Sequence, residues 1–302
     1  MLRISAPQDS VTSFSPAHPP VASVALGESF QCATVDCYAG QITTSQVLRP
    51  HVDMSEFNRA TGPVEIVGVQ PGDTLRIEIE RISLHSPGVM ALSPGLGILG
   101  EQITAPETRI VPIEDNRARI ADAVSVPVEP MVGVLGLAPE SGDIPNAWPG
   151  NHGGNLDTRL LGEGSALIVR ASHAGALVCV GDLHALQGDG ELGGTGIEIG
   201  GEVQLRVERI SYHGALPAVL HPGGLSVLGS AECLEEAIRI AFDDAVQLMA
   251  AWHSLTWNDA YRLASVVSRA EVSQLVNPLK TARITIPAEW LPPALLGGSA
   301  HG

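Results

Sequence analysis

The sequence predicts an α+β fold, with a β-rich core and a long helix in the C-terminal region. Three observations support this prediction: two segments alternate apolar and polar residues, one long segment has a helical apolar stripe, and 33 Gly with 22 Pro favour frequent turns. A chain of 302 residues can bury one large core, and we expect a single domain over residues 1–302. The expected β-rich core covers about 20–229 and 280–290, and the helical segment covers about 230–277.

The first strand signal follows a Pro71-Gly72-Asp73 turn. In PGDTLRIEIERI, apolar residues such as Leu75 and Ile77 alternate with polar ones, which is the period of a strand with one buried face. The segment GEVQLRVERI at 201–210 repeats this alternation. Two further apolar runs, SALIVRA at 165–171 and ALVCVGD at 176–182, flank the sequence SHAG and predict a hairpin.

The long helix is predicted in SAECLEEAIRIAFDDAVQLMAAW, residues 230–252, where the apolar residues form one stripe. Ser230 can cap its N-terminus. A shorter helix is predicted from Asn258 through DAYRLASVVSR, and TARITIP at 281–287 predicts a return to strand.

Charge and composition limit the classes of partner. Lys and Arg total 17 and Asp and Glu total 33, and the resulting formal charge of −16 disfavours nucleic acid and anionic membranes. The sequence contains no run of about 18 apolar residues and no signal-like apolar N-terminus, so we expect a soluble, cytoplasmic protein. The four cysteines include no C-x-x-C pair, which favours reduced thiols. A small-molecule partner fits this composition best.

The first candidate site cluster begins where the second apolar run ends. In GDLHALQGDGE, Asp182 and His184 are two residues apart and would point to the same side of an extended segment. A carboxylate and an imidazole together can hold a divalent metal or act as an acid–base pair. The glycines that follow allow the chain to bring Asp189 or Glu191 back to the same point. The alternative interpretation is a solvated strand end.

A second cluster precedes the first apolar run. NHGGNLD contains His152, Asn155 and Asp157, and its Gly-Gly pair indicates a hard turn or a close approach of the backbone. Turn capping is the alternative role for Asn155. We interpret four other histidines as exposed or structural: His51, His85, His173 and His213.

Taken together, NHGGNLD, GDLHALQGDGE and GTGIE resemble the signature of the acetamidase/formamidase family. VDCYAGQI at 35–42 is similar to the family's D-C-F-x-x-Q-I segment, and NRATGPVEIVGVQPGDTLRIEI at 58–79 is similar to its N-P-A-T-G-P stretch and PGD strand. Similar pieces span about residues 25–290. Two positions depart from the family pattern, because Gly193 stands where members carry a cysteine and Arg59 where they carry a proline. That cysteine is therefore not an indispensable nucleophile here.

The resemblance implies hydrolysis of a short aliphatic amide to a carboxylate and ammonia, on a sandwich-like β-rich fold with a smaller α/β portion. It also implies a homodimer or higher homo-oligomer, and a divalent metal ion for which zinc and calcium are the candidates. We expect part of the helical segment to form the homodimer contact.

Amide hydrolysis needs an activated nucleophile, a place for the developing oxyanion and an acid for the leaving ammonia. We expect Asp182 and His184, with Asp157, to bind the metal, which would lower the pKa of bound water toward about 7. The metal or backbone N–H groups near 188–194 would stabilise the oxyanion, and Glu191 or Asp36 would be the acid. The substrate-binding candidates are His152, Asn155, Gln187 and Gly193.

Three alternatives stay open. Cys37 is a rival nucleophile, although Asp36 beside it would raise the pKa of its thiol. A related hydrolase would act on a larger or cyclic amide, because Gly193 would open space. A β-rich ligand-binding protein that has lost turnover would bind an amide or a metal without releasing ammonia.

Overall fold

A computed structural model describes residues 1–212 and 214–296 of the chain. Within them, strands predominate and two helices, α1 (Leu234–His253) and α2 (Trp257–Val267), lie late in the chain, so the predicted α+β class is confirmed. The strands are β1 (Leu2–Ile4), β2 (Ser10–Val11), β3 (Ser13–Phe14), β4 (Ala22–Ala25), β5 (Ser29–Thr34), β6 (Ala60–Val67), β7 (Thr74–Leu84), β8 (Gly88–Leu92), β9 (Glu107–Val111), β10 (Ile113–Glu114), β11 (Arg117–Ala121), β12 (Val124–Pro127), β13 (Met131–Gly136), β14 (Ile144–Pro145), β15 (Pro149–Gly150), β16 (Gly153–Asn155), β17 (Ala166–Arg170), β18 (Val178–His184), β19 (Glu198–Ile199), β20 (Gly201–Ile210), β21 (Ala218–His221), β22 (Gly224–Ala231), β23 (Arg269–Gln274) and β24 (Lys280–Pro287).

Two large sheets supply the core. The first has the strand order β1-β5-β20-β7-β17-β21-β22-β24-β23. The second runs β15-β16-β13-β18-β19-β8-β9, and β6 pairs with β18, β2 and β4. Apolar residues of both sheets, such as Ile77 of β7 and Val180 of β18, belong to one buried cluster. The layers therefore pack face to face around a shared core, as in a sandwich.

The two alternating segments form neighbouring strands. β7 and β20 pair antiparallel, with Leu205 opposite Ile79 and Val207 opposite Ile77. The apolar residues of both strands are buried, whereas the intervening charged residues lie on the other face. Both strand predictions are confirmed, because a period of two specifies which face of a sheet is buried.

The predicted hairpin between 165–171 and 176–182 is wrong. β17 pairs with β7 and β21 in the first sheet, whereas β18 pairs with β13, β6 and β19 in the second. Ala176 and Leu177 in the connection have positive φ angles of 60° and 57°, and the chain passes there from one sheet to the other. Both strands are buried on both faces, so the sequence contains no alternating pattern that identifies their partners.

The helical segment differs from the prediction in its limits. Helix α1 begins after Cys233, while the proposed cap, Ser230, lies in β22 and its hydroxyl is 3.0 Å from that of Thr281. A strand, β23, also interrupts the segment expected to be helical to residue 277. The return to strand at 281–287 is confirmed as β24. Neither described helix is long and apolar enough to cross a membrane.

Candidate active site

Five buried acidic and histidine side chains meet beside the end of β18: Asp157, Asp182, His184, Glu191 and Glu198. The His184 Nε2 atom lies 3.0 Å from Glu198 Oε2 and 3.4 Å from Asp182 Oδ1. Ligand-type atoms of Asp157, His184 and Glu191 lie within 4.8 Å of one another. This acidic cluster therefore brings four carboxyl groups around one imidazole, away from solvent.

The backbone is strained at the residues that carry these groups. Asp157, Asp182 and Glu191 have positive φ angles of 41°, 54° and 46°, a conformation that non-glycine residues rarely adopt. Each such residue costs roughly 1–3 kcal/mol, and such strain is concentrated at functional sites. Asp182 approaches His184 through this left-handed turn within β18 rather than through the regular alternation of an extended strand.

Gly133 of β13 makes room for two of the carboxylates. A Cβ atom at this position would lie 2.5 Å from Asp157 Oδ1 and 2.8 Å from Asp182 Oδ2. Gly196 does the same for the imidazole, because its Cβ would lie 2.9 Å from His184 Nδ1. Glycine inside or beside a strand often marks such a close approach, and the acidic cluster depends on both positions.

Burial changes the protonation of the carboxyl groups. It raises the pKa of Asp157 and of Glu198 to about 7, and it raises the pKa of Glu191 well above its usual value. Neighbouring carboxylates raise these pKa values further, whereas His184 lowers them. Burial lowers the pKa of His184, but Glu198 and Asp182 raise it by more. The acidic cluster therefore retains protons near neutral pH or needs a cation.

Gln187 orients the imidazole. Its Nε2 donates to the backbone oxygen of Asp157 at 2.7 Å, so its Oε1 faces His184 Nδ1 at 2.6 Å and accepts a hydrogen bond from it. The proton of a neutral His184 is therefore on Nδ1, and the Nε2 lone pair faces the carboxylates. A hydrogen bond of this kind commonly supports a metal-binding histidine.

Four buried atoms of the acidic cluster lack a hydrogen-bond partner within the described ranges: Asp157 Oδ1, Asp182 Oδ1, His184 Nε2 and Glu198 Oε2. Buried polar atoms are normally paired. One imidazole nitrogen and several carboxylate oxygens form a donor set that suits a divalent cation. These residues therefore fit a metal ion, although the donor set does not by itself identify the element.

A small cavity of about 30 Å³ opens onto the acidic cluster. Its polar wall includes Asn58, Asn155 and Asn277, and its other walls include Tyr38 and Phe57. Asn277 donates to Asp157 Oδ2 at 2.5 Å, and Asn58 donates to Asp182 Oδ2 at 3.4 Å. A volume of this size holds about two water molecules, so the cavity suits a very small ligand.

The model of the acetamidase/formamidase family matches residues 5–149 and 144–290. The chain belongs to the acetamidase/formamidase family. It is 28% identical to an acetamidase of Mycolicibacterium smegmatis, in an alignment that covers 64% of this chain and 64% of that protein. The chain spans 60% and 64% of the length of the two curated relatives that it matches.

Solved structures of the family have the same fold. The crystal structure of an acetamidase from Bacillus halodurans has a TM-score of 0.93 and 36% identity, and the match covers 95% of this chain and 97% of that one. A recombinant predicted acetamidase/formamidase from Thermoanaerobacter tengcongensis has a TM-score of 0.92 and 37% identity, with 95% of each chain covered.

Of the residues named from the family motifs, Asn155 lines the cavity and Asp157, Asp182, His184 and Glu191 form the acidic cluster. Gln187 contacts His184 and lies behind it. Asp189, the alternative to Glu191, instead forms an ion pair with Arg283 at 2.8 Å.

Asp36 and Cys37 lie at the edge of the site. Asp36 Oδ1 accepts hydrogen bonds from the backbone nitrogens of Tyr38 at 2.9 Å and Gly40 at 3.1 Å, so it shapes the turn. Cys37 lines the cavity, but burial, Glu198 and Asp182 raise the pKa of its thiol well above the usual value. A neutral thiol is a poor nucleophile.

Two predicted substrate-binding residues lie elsewhere. His152 packs edge-on against Phe14, with ring centroids 4.9 Å apart, and faces a separate surface cavity of about 710 Å³. Gly193 borders an apolar cavity of about 160 Å³ on the other side of Thr195. Of the four histidines interpreted as exposed or structural, His51 and His85 are exposed and His173 is half-buried, while His213 lies outside the described residues.

Sequence reasoning missed Glu198, the carboxylate nearest to His184. It ends the quoted motif GTGIE and forms the short strand β19 opposite His184 of β18. The available signal was an acidic residue that follows Gly196 and Ile197 and precedes another apolar residue. Such a position is a candidate site residue, because a buried strand seldom holds an unpaired carboxylate. Gly133 was missed as well, although it is a glycine within a predominantly apolar strand.

Proposed function

We propose that this protein hydrolyses the C–N bond of a short aliphatic amide, with water, to a carboxylate and ammonia. The observation that carries the proposal is the buried acidic cluster around His184, which opens onto a cavity large enough only for a small ligand. Membership of the acetamidase/formamidase family and the acetamidase name of its relatives support the same chemistry.

The proposed ligands of a divalent ion are His184 Nε2, Asp182 and Glu198, with Asp157 as a further oxygen donor. They carry the four buried atoms that lack hydrogen-bond partners in the part of the chain described. The imidazole ligand favours zinc over calcium, because calcium takes six or more oxygen ligands. When bound, such an ion polarises the amide carbonyl and lowers the pKa of a coordinated water toward about 7.

Glu191 is the proposed proton carrier. Burial, followed by the charge of Asp157, raises its pKa well above the usual value, so its carboxyl group can hold a proton near neutral pH. The attacking water gives one proton to the ionised carboxylate of Glu191, and Glu191 passes that proton to the nitrogen as the C–N bond breaks. Asp36, the other candidate acid, is already bonded to two backbone N–H groups through one oxygen. Its proposed role is to position Cys37 and Tyr38.

The size of the cavity favours the shortest amides as substrates. Its volume of about 30 Å³ leaves little space beyond the amide group itself. A β-carbon added at Gly193 would meet no atom within 4 Å. Gly193 and His152 line other cavities, so neither is assigned to substrate binding. Asn155, at the cavity wall, remains the proposed substrate contact.

The first experiment measures ammonia release from formamide, acetamide, propionamide and bulkier amides. The assay is run with a chelator, without it, and after addition of zinc or calcium. Chelator-sensitive release that is fastest on the shortest amides supports the proposal, and loss of activity in both Asp182→Ala and His184→Ala supports the residue roles. Preference for a larger or cyclic amide would contradict the assigned substrate, and metal binding without any ammonia would indicate a binding protein.

We also propose a homodimer in which α2 contributes to the contact. Its surface exposes Trp257, Tyr261 and Val266, and the rings of Trp257 and Tyr261 stack with centroids 5.0 Å apart. Exposed apolar residues gathered on one helix favour an interface. Light scattering should give a dimeric mass for the wild type and a lower mass for Val266→Glu, with Val67→Glu on β6 as the control. A monomeric wild type at micromolar concentration would refute the dimer.

A further inference from the structure

We infer that the Tyr38 hydroxyl and the Arg49 guanidinium bind the carbonyl oxygen of the substrate and stabilise the negative charge that develops on it. The inference rests on the proposed amide hydrolysis and deepens it. It assigns to two side chains a role that sequence reasoning gave to the metal or to backbone N–H groups near 188–194.

The Tyr38 hydroxyl is buried and available. Its side chain is fully buried, it lines the cavity beside the acidic cluster, and its oxygen has no hydrogen-bond partner among the described residues. The ring rests against Phe57, with centroids 6.1 Å apart. Because buried hydroxyl groups are normally paired, an unpaired one at a cavity wall points to a ligand as its partner.

The phenol is also in the correct protonation state. Burial raises the pKa of Tyr38 strongly, and Cys37 and Glu198 raise it further, whereas Arg49 lowers it. The hydroxyl therefore keeps its proton at physiological pH and can donate a hydrogen bond. Tyr38, Arg49 and Glu198 all line the same cavity.

Arg49 supplies positive charge at the same cavity. It is half-buried, it forms no ion pair with any residue in the described ranges, and its guanidinium lies close to the Tyr38 hydroxyl without a well-oriented hydrogen bond to it. The other charged residues of the cavity wall are all acidic: Asp157, Asp182, Glu191 and Glu198. An arginine that avoids a salt bridge next to four carboxyl groups is free to bind a ligand oxygen.

Several other donors near the acidic cluster are already used. The backbone nitrogens of Gly190, Glu191 and Gly194 donate within the loop and to Ser273, at 3.0, 3.1 and 2.8 Å. The side-chain amides of Asn58 and Asn277 donate to the carboxylates of Asp182 and Asp157. Tyr38 and Arg49 therefore join Asn155, the proposed substrate contact, among the side-chain donors of the cavity wall that can serve the substrate.

Tyr38 and Arg49 act at the step of the proposed hydrolysis in which water adds to the carbonyl carbon. The water oxygen bonds to the carbonyl carbon while one of its protons passes to the carboxylate of Glu191, and the π electrons of the C=O bond move onto the carbonyl oxygen. Tyr38 and Arg49 donate hydrogen bonds to that oxygen while it is negative. The C=O bond then re-forms, the C–N bond breaks, and the nitrogen leaves as ammonia with the proton that Glu191 carries.

Tyr38→Phe removes the hydroxyl and keeps the ring. The expected result is a fall in kcat of about 10²- to 10³-fold, as for the loss of one oxyanion donor, with KM nearly unchanged. The loss should be equal on formamide, acetamide and propionamide, because all three share the carbonyl oxygen. Arg49→Lys should keep more activity than Arg49→Gln. The matched control is Tyr212→Phe, which removes a buried hydroxyl that donates to Ala215 O in the apolar cluster beside helices α1 and α2.

A binding measurement separates this inference from the proposed function. Calorimetric titration of the zinc-loaded full chain uses methylphosphonate, a stable tetrahedral anion. Tyr38→Phe should bind it at least about tenfold more weakly than the wild type and than Tyr212→Phe, with an unchanged circular dichroism spectrum. Equal affinities, an unchanged kcat, or a loss confined to one amide would overturn the inference. A wild type that hydrolyses no amide would refute the proposed function, and the titration would still decide whether these donors bind an oxyanion.

Discussion

The Nε2 atom of His184 lies 3.0 Å from Glu198 Oε2, but neither atom has a properly oriented hydrogen-bond partner among the residues described. Asp182 Oδ1, 3.4 Å from the same nitrogen, is also unpaired. Three close but unpaired polar atoms surround a shared point instead of bonding to one another. Ligands of a metal ion are arranged in this way, and so is a buried group that shares a proton.

Replacing Glu198 by glutamine should weaken metal binding. The substitution preserves the shape of the side chain but removes the charge that would face a cation, so we expect lower affinity for zinc and strongly reduced ammonia release. Calorimetric titration of the metal-free protein with zinc measures the affinity. The matched control is Glu202→Gln, because Glu202 is on the next strand and pairs with Arg3 at the surface. Equal losses in the two variants would argue against a ligand role for Glu198.

Gln187 should act by orienting His184. Gln187→Met retains the length of the side chain but removes the acceptor for His184 Nδ1, so we expect metal affinity or activity to fall by about 10- to 100-fold. Gln247→Met on the exposed face of α1 is the control, and it should leave both properties unchanged. If Gln187→Met raised KM for amides without changing metal affinity, Gln187 would instead contact the substrate.

Gly133→Ala should damage the acidic cluster more than the fold. The added carbon would overlap Asp157 Oδ1 and Asp182 Oδ2, which lie 2.5 and 2.8 Å from the Cβ position. Overpacking of this kind costs about 1–3 kcal/mol of unfolding free energy, and displaced carboxylates should remove most of the activity. Urea unfolding and ammonia release measure the two effects. Gly188→Ala, whose added carbon would meet no atom within 4 Å, should change neither, and retained activity in Gly133→Ala would contradict the assignment.

The metal-free protein should lose stability as pH rises from about 4 to about 7. Unfolded Asp and Glu have pKa values of about 3.9 and 4.3, whereas burial raises those of Asp157 and Glu198 to about 7 in the folded chain. Between these values the folded state binds more protons than the unfolded state, so the free energy of unfolding decreases with pH. His184, whose pKa is also raised, acts in the same direction, but only above its unfolded pKa of about 6.5.

Urea unfolding with a chelator at pH 5 and pH 7.5 measures this dependence. Asp157→Asn should show a smaller decrease than the wild type, because it removes one of the titrating groups. Zinc should restore more stability at pH 7.5 than at pH 5, since metal ligands must be deprotonated. Identical pH dependence in the wild type and Asp157→Asn would show that the acidic cluster does not cause the decrease.

The amino-acid sequence alone predicts the local elements and most of the residue types of the site. Alternation of apolar and polar residues predicted β7 and β20, and the apolar stripe predicted α1, because both patterns arise between residues that are near in the chain. The family resemblance identified Asp157, Asp182, His184 and Glu191 by their motifs. It indicated the kind of reaction without showing how these residues meet.

The pairing of the strands and the side chains that complete the site become known from the three-dimensional fold. β17 and β18 are adjacent in sequence but belong to different sheets, and pairing energies depend on partners far along the chain. Glu198 meets His184 because β19 pairs with β18, and Gly133 of β13 provides the space for the carboxylates. Tyr38 and Arg49 line the same cavity through long-range packing, which no local pattern encodes.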